Sequence, residues 1–206
     1  APGNEMRVAS EITTWMPGYK ELSVGNHLFM TIQWMLSSFA NEGKAFFIAI
    51  WAAGFLLLMK SKKAKVYQIL AVVFSVVALL PYAGISFFSE MGIGYIDIEQ
   101  RLTELPTWQT MTIQNRIAFF WWIAAVLFTL VLLWKVTGHS VFISMVFLGG
   151  IASEAVLHFS PTIYASGARV YYLTDLMYLF IILWMVMHMD SEKKKNLFIA
   201  GAAALG

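Results

Sequence analysis

Two acidic residues lie inside stretches of the chain that are otherwise apolar, and their chemistry is the easiest to name. Glu154 falls within the run 141–159, and Asp175 falls within the run 170–189. A carboxylate inside such a run is costly and usually faces a cavity or a partner. His158 follows Glu154 by four residues, which places both on one helix face. The spacing predicts an acid/base pair, Glu154 and Asp175, beside a cavity; a structural contact between two helices is the alternative.

The arginines form a second pattern. All four fall in the segments 1–44, 89–116 and 160–169, whereas the basic residues of the other loops are lysines. A guanidinium group binds phosphate with two parallel hydrogen bonds, which predicts an anionic ligand. The alternative is that the arginines pair with the acidic residues of the same segments. The candidate phosphate and substrate ligands are Arg7, Arg116, His158, Tyr164 and Arg169.

No metal or resident cofactor is predicted. The chain has no cysteine, and its four histidines are spread over separate segments. No HExxH pattern and no glycine-rich nucleotide-binding pattern is present.

The composition indicates how these residues are positioned. Of 206 residues, 59% are hydrophobic and 13% are charged, whereas a soluble domain carries about 25% charge. This excludes a nucleic-acid binder with a basic face and a disulfide-stapled secreted domain. Five apolar runs are long enough, or nearly so, to cross a bilayer as helices. They are 45–59, 66–88, 117–136, 141–159 and 170–189.

The sequence therefore predicts an all-α, polytopic transmembrane helical bundle with at least five spans and one domain over residues 1–206. A sixth span would begin at Leu197, and the chain is expected to be part of a longer protein. The mixed segment 25–40 predicts an interfacial helix within an outer segment, 1–44. A polar helix packed inside the bundle is the alternative. Spans and loops make up 45–206.

The loops predict the orientation. Lysines cluster in 60–65 and 190–196, and loops of this kind face the cytoplasm. The connection 135–140, which carries Lys135, lies on the same side. The N-terminus is then extracytoplasmic, and the chain is a multi-pass protein of the cell membrane.

Two short motifs on the predicted outer side carry a family resemblance. The chain begins APGNEMR, and the loop between the last two predicted spans, residues 160–169, reads SPTIYASGAR. Together with the hydropathy, these motifs resemble bacterial polytopic membrane proteins that look like GT-C-type glycosyltransferases of surface polysaccharide decoration. The matching residues are Pro2, Gly3, Asn4, Arg7, Ser160, Pro161, Tyr164, Ser166, Gly167 and Arg169.

The resemblance implies an inverting enzyme that transfers sugar from a polyprenyl-phosphate donor to a glycan outside the membrane. Arg7 and Arg169 would hold the lipid phosphate, and Glu154 and Asp175 would line the cavity. It also implies an acidic base in a first outer loop, which is not recognisable in this chain. The alternatives are a non-enzymatic membrane subunit, a flippase-like transporter of a lipid-linked or small anionic substrate, and a structural subunit. Membrane lipid and a membrane partner subunit are expected partners; nucleic acid is not.

Overall fold

The structure is a computed structural model, and its described residues form helices and the turns and short connections next to them. These are 18–59, 61, 64–80, 108–109, 113–138, 141–159 and 171–189, with residues 6, 9, 10, 12 and 13 near the N-terminus. A short 3-10 turn, Tyr19–Glu21, precedes six α-helices. They are α1 (Val24–Asn41), α2 (Lys44–Leu58), α3 (Lys65–Leu79), α4 (Ile113–Val136), α5 (Val141–Phe159) and α6 (Tyr172–Met187).

Local sequence signals set several helix ends. Ser23 caps α1, because its side chain accepts a hydrogen bond from the backbone N–H of Asn26 at 3.2 Å. Gly138 follows the end of α4 with a φ of 64°, a left-handed conformation that glycine adopts without strain. The helix interiors are apolar runs that the sequence already marks.

Helix α2 lies at the centre of the bundle. It packs against α3, α4 and α6, while α1 packs against α4 and α5, and α5 packs against α6. Phe47 and Trp51 of α2 are fully buried. The ring of Phe47 contacts the rings of Trp122, Phe147 and Tyr178, at centroid distances of 5.6, 6.1 and 5.7 Å. An aromatic core therefore joins α2, α4, α5 and α6.

The mixed segment 25–40 forms most of α1, and its last three turns are buried. Met30, Trp34 and Phe39 are each at most 2% exposed. A bend of 68° separates Val24–Ala40 from Lys44–Leu58. Ser38 accepts hydrogen bonds from the backbone N–H groups of Glu42 and Gly43, at 2.8 and 3.0 Å, through its own carbonyl. At the bend, the carbonyl of Ser38 is therefore satisfied by two backbone N–H groups from beyond the helix.

Two helices of the described chain are long and apolar enough to cross a membrane, Arg116–Val136 and Val141–Phe159. A third span results if the bent pair Val24–Ala40 and Lys44–Leu58 is counted as one. The structure thus supports an apolar helical bundle, but with two or three spans rather than the expected five. The reason is length: α3 has 15 residues and α6 has 16, whereas a span needs about 20. The predicted spans at 66–88 and from Leu197 extend beyond the described residues.

The N-terminal 3-10 turn is attached to the end of α5. The Tyr19 hydroxyl donates a hydrogen bond to the carbonyl of Phe159 at 2.7 Å, and its ring lies 4.4 Å from that of His27. Burial raises the pKa of Tyr19 above its usual value, because the phenolate loses hydration there. The contact joins the turn, α1 and α5 at one end of the bundle.

Candidate functional site: an acidic pocket between α1, α5 and α6

One face of α5 carries small or polar residues at successive helical turns. Gly150, Glu154 and His158 follow one another at intervals of four and are all buried. Glu154 is 2% exposed. This face packs against α1 and α6, so the polar side chains of α5 point between helices.

The two oxygens of Glu154 differ in their surroundings. The hydroxyl of Ser38, on α1, donates a hydrogen bond to Oε1. Oε2 is buried and has no hydrogen-bond partner among the described residues. Because buried polar atoms are nearly always hydrogen-bonded, Oε2 is an exception that needs an explanation.

Tyr178 of α6 presents a second such atom. Its side chain is 1% exposed, and its hydroxyl is buried without a hydrogen-bond partner in the described part of the chain. Gly150 lies directly against its ring, since a Cβ atom added at Gly150 would come within 2.9 Å of Cε1. The hydroxyl of Thr174 donates to the carbonyl of Gly150 at 3.3 Å. Helices α5 and α6 therefore meet closely at this level.

These groups line one small pocket of about 10 Å³, which is room for about one water-sized group. It is bounded by residues of α1, α5 and α6 and by the bend after α1. Three of the side chains carry carboxyl groups, and none of the described residues that line it is basic. The lining residues are Ser38, Phe39, Glu42, Gly43, Glu154, Tyr171, Thr174, Asp175 and Tyr178. The pocket is hence acidic and rich in hydroxyl groups.

His158 lies one turn beyond Glu154 on α5 and reaches the pocket through Tyr171. Its Nε2 atom is 3.4 Å from the Tyr171 hydroxyl, and the two ring centroids are 5.7 Å apart. Tyr171 is half-buried and lines the pocket. His158 therefore contacts Tyr171, a residue of the pocket lining, but does not itself line the pocket.

Arg116 contacts Trp108 near the start of α4. It donates from Nη2 to the carbonyl of Trp108 at 2.9 Å, and its guanidinium carbon lies 4.9 Å from the centroid of the Trp108 ring. It is not one of the residues that line the acidic pocket. This arginine contacts an aromatic ring and a backbone carbonyl near the start of α4.

The structure therefore brings together some of the sequence-predicted residues. Glu154 and Asp175 line the same pocket, with His158 one contact away. Arg7, Tyr164 and Arg169 lie outside the described residues, as do all the other residues that carry the family resemblance. Their predicted roles in phosphate binding stay predictions.

Sequence reasoning missed Ser38 and Tyr178. Ser38 is 116 residues before Glu154, and no periodic pattern links the two. Tyr178 had a usable signal, because it follows Asp175 by three residues and so shares its helix face.

The arrangement can accept a proton or bind hydrogen-bonding groups. A carboxylate that is held at one oxygen and unpartnered at the other can act as a general base toward a group placed in the pocket. No group of three or more His, Asp or Glu side chains in the described ranges is arranged to hold a metal ion. Comparison of the chain with protein-family models, curated proteins and solved structures finds no match.

Proposed function

We propose that this chain is the membrane-embedded part of a glycosyltransferase of the bacterial cell membrane. It would transfer a sugar from a polyprenyl-phosphate donor to a surface glycan on the outer face. The observation that carries the proposal is the Glu154 carboxylate, which is buried, held by Ser38 at Oε1 and unpartnered at Oε2. The resemblance of the two outer motifs, APGNEMR and SPTIYASGAR, supplies the reaction class.

The proposed step is an in-line displacement at the anomeric carbon. Glu154 Oε2 takes the proton of an acceptor hydroxyl, and the hydroxyl oxygen forms the new bond to the anomeric carbon. The bond from that carbon to the phosphate oxygen breaks, and the polyprenyl phosphate leaves with the electron pair. The hydrogen bond from Ser38 keeps the carboxylate in one orientation, so that the base is positioned before the acceptor arrives.

Glu154 is proposed as the base because the acidic residue of the family's first outer loop is not recognisable in this chain. Asp175 lies in the same pocket and is half-buried. Its carboxylate would orient further hydroxyl groups of the acceptor, which carboxylates bind well.

The donor phosphate would lie beside the pocket rather than in it, since three carboxyl groups repel an anion. Arg7 and Arg169 are the proposed ligands of this phosphate. Arg169 precedes Tyr171 by two residues, and two residues of chain span at most about 7 Å. A phosphate bound to Arg169 would therefore be within reach of the pocket lining.

The proposal includes the membrane topology that the loops predict. Helices α3 and α6 would be completed as spans by residues that follow or precede them, giving at least five crossings. The lysine-rich loops would face the cytoplasm and the pocket would face outward. A membrane partner subunit fits this arrangement.

The acidic lining of the pocket favours a second candidate, a proton-coupled membrane transporter or flippase. Carboxylates buried among membrane helices commonly act as proton-binding sites. In that case uptake of a lipid-linked or small anionic substrate would depend on pH, and Glu154→Gln would remove this dependence. No sugar transfer would accompany it.

The test is sugar transfer by the full-length protein in proteoliposomes, with a radiolabelled polyprenyl-phosphate sugar as donor. Glu154→Gln should lower the rate by about 100- to 10,000-fold, the range for loss of a general base. Glu21→Gln is the matched control, because Glu21 is exposed on the N-terminal turn and does not line the pocket. Equal transfer by the two variants would reject the assignment of Glu154 as the base.

A further inference from the structure

The hydroxyl of Tyr178 has no role in the proposed transfer step, although it is as deeply buried as Glu154. We infer that Tyr178 Oη and Glu154 Oε2 together bind one hydroxyl group of an uncharged sugar. The pocket thereby selects neutral polyhydroxyl acceptors over anionic ones. The identification of this hydroxyl as the reacting group rests on the proposed function, and the rest of the inference does not.

Packing fixes the position of the Tyr178 ring. The rings of Phe39, Phe46, Phe47 and Phe147 surround it, with centroid distances from 5.7 to 6.5 Å. Gly150 lies against its Cε1 edge, which leaves no space for a Cβ atom. The hydroxyl is therefore held in one place and cannot turn toward another partner by moving the ring.

A tyrosine hydroxyl in such surroundings normally finds a partner. Tyr178 Oη and Glu154 Oε2 are both buried and unpartnered among the described residues, and both residues line the same pocket. By contrast, Thr174 in the same lining uses its hydroxyl on the backbone of Gly150. Two unpartnered polar atoms on one cavity indicate that a polar group is bound between them.

The chemistry of the two atoms defines that group. An ionised carboxylate only accepts hydrogen bonds, whereas a phenol has one hydrogen to donate. A ligand that satisfies both must donate to Glu154 and accept from Tyr178. A hydroxyl group does both, an ammonium group only donates, and an ionised carboxylate or phosphate only accepts.

The charge of the pocket lining further restricts which ligands the pocket can bind. Glu42 and Asp175 add two carboxyl groups to the lining, and no described residue there is basic. A sugar that bears a carboxylate or phosphate near the reacting hydroxyl would be repelled. The pocket also has room for about one water-sized group, so a single hydroxyl at the edge of a sugar would enter it rather than the ring itself.

The experiment measures binding separately from transfer. Saturation-transfer NMR on the full-length protein in zwitterionic nanodiscs would use two probe classes. These are uncharged methyl hexosides and methyl glucuronide as the anionic probe. We expect the uncharged probes to bind and Tyr178→Phe to weaken that binding at least tenfold. Tyr172→Phe is the matched control, because Tyr172 is 68% exposed on the same helix and does not line the pocket.

Thermal unfolding of the same variants shows whether the hydroxyl is structural. Loss of an unpartnered hydroxyl should leave the midpoint of Tyr178→Phe equal to that of the unmodified protein. A large fall in the midpoint would overturn the inference, since it would show that the hydroxyl has a partner within the fold.

Three binding results would also overturn it. Equal binding by Tyr178→Phe and the unmodified protein would show that the hydroxyl is not a ligand. Binding of the anionic probe in preference to every uncharged one would contradict the selectivity. No binding of any probe would leave only water between the two atoms.

Failure of the proposed function has a different signature. In that case uncharged probes bind and depend on Tyr178, but no sugar is transferred from the polyprenyl-phosphate donor. If transfer depends on Glu154 while probe binding ignores Tyr178, the function stands and the inference fails.

Discussion

Two clusters of buried polar side chains in this bundle are built in opposite ways. Between α2 and α4, Trp51 Nε1 donates to the hydroxyl of Thr129 at 2.8 Å, and that hydroxyl donates to the carbonyl of Ala125 at 2.7 Å. All the polar side-chain atoms of this cluster are satisfied. Between α1, α5 and α6, Glu154 and Tyr178 each keep an unpartnered oxygen. The first cluster is complete without a ligand, and the second is not.

The difference follows from how the helices meet. Helices α2 and α4 pack side by side, and both Trp51 and Thr129 are fully buried. The pocket lies where α1 ends and the chain bends by 68° into α2. The bend leaves a space that Glu42 and Gly43 line but do not fill. A satisfied pair therefore marks structural packing, whereas the break in the helix creates room for a ligand.

Among the residues that support Glu154 and the packing around it, the largest effect is expected from removing the hydrogen bond that orients this carboxylate. In Ser38→Ala neither carboxylate oxygen has a partner, and a hydrogen bond to a charged group is worth about 1.5–3 kcal/mol. Sugar transfer should fall by about 10- to 100-fold. Ser75→Ala is the control, because Ser75 bonds only the carbonyl of Ala71 in its own helix. Equal transfer by both variants would show that Ser38 does not position the base.

The next prediction concerns the close contact of α5 with Tyr178. A Cβ at Gly150 would lie 2.9 Å from the ring, whereas one at Gly149 would lie 3.7 Å from the flexible Met177. Gly150→Ala should lower the free energy of unfolding by about 1–3 kcal/mol through overpacking, and it should also weaken binding of uncharged probes. Gly149→Ala should do neither. Chemical denaturation in detergent micelles would compare the two glycine variants. Equal stability would show that α5 and α6 move apart at Gly150 without a measurable cost.

A substitution in the cluster of Trp51 and Thr129 should change the stability of the protein and leave sugar transfer unchanged. Thr129→Val leaves the indole N–H of Trp51 without its partner, which should cost about 1–2 kcal/mol of unfolding free energy. Thr137→Val is the comparison, since Thr137 bonds the carbonyl of Leu133 in its own helix and is only half-buried. Transfer activity of the folded fraction should stay unchanged in both. If fully folded Thr129→Val protein lost transfer activity, the cluster of Trp51 and Thr129 would not be purely structural.

The smallest effect concerns the attachment of the N-terminal turn. Tyr19→Phe removes the bond to Phe159 and should cost about 0.5 kcal/mol, at the low end for a hydrogen bond because Tyr19 is half-exposed. Since burial raises the pKa of Tyr19, its contribution is complete below about pH 10 and is lost as the pH rises through the higher value of the folded protein. The difference in thermal unfolding midpoint between Tyr19→Phe and the unmodified protein should therefore vanish at alkaline pH. A constant difference across that range would show that ionisation of Tyr19 is not involved.

The sequence predicted elements better than it predicted contacts. The run 141–159 is helix α5 to the residue, and the run 117–136 is the main part of α4. The four-residue spacing of Glu154 and His158 predicted a shared face, and both are buried on it. These successes depend only on composition and helical periodicity, which are local properties of the chain.

The pairing of side chains between helices was not predictable in the same way. Ser38 contacts Glu154 because α1 packs against α5, and the apolar surfaces of these helices allow many other pairings. The described residues support two or three of the five predicted spans, and hydropathy does not show where a helix ends. Helix α6, for example, has 16 residues within a predicted run of 20.

The most direct measurement compares Glu154→Gln with Thr129→Val, in sugar transfer and in thermal unfolding, on the same preparations. Glu154→Gln should lose transfer and keep its unfolding midpoint, because the amide still accepts the bond from Ser38 and removes a buried charge. Thr129→Val should keep transfer and lose stability. If Glu154→Gln instead loses stability and retains transfer, Glu154 is a structural residue and the acidic pocket is not a functional site.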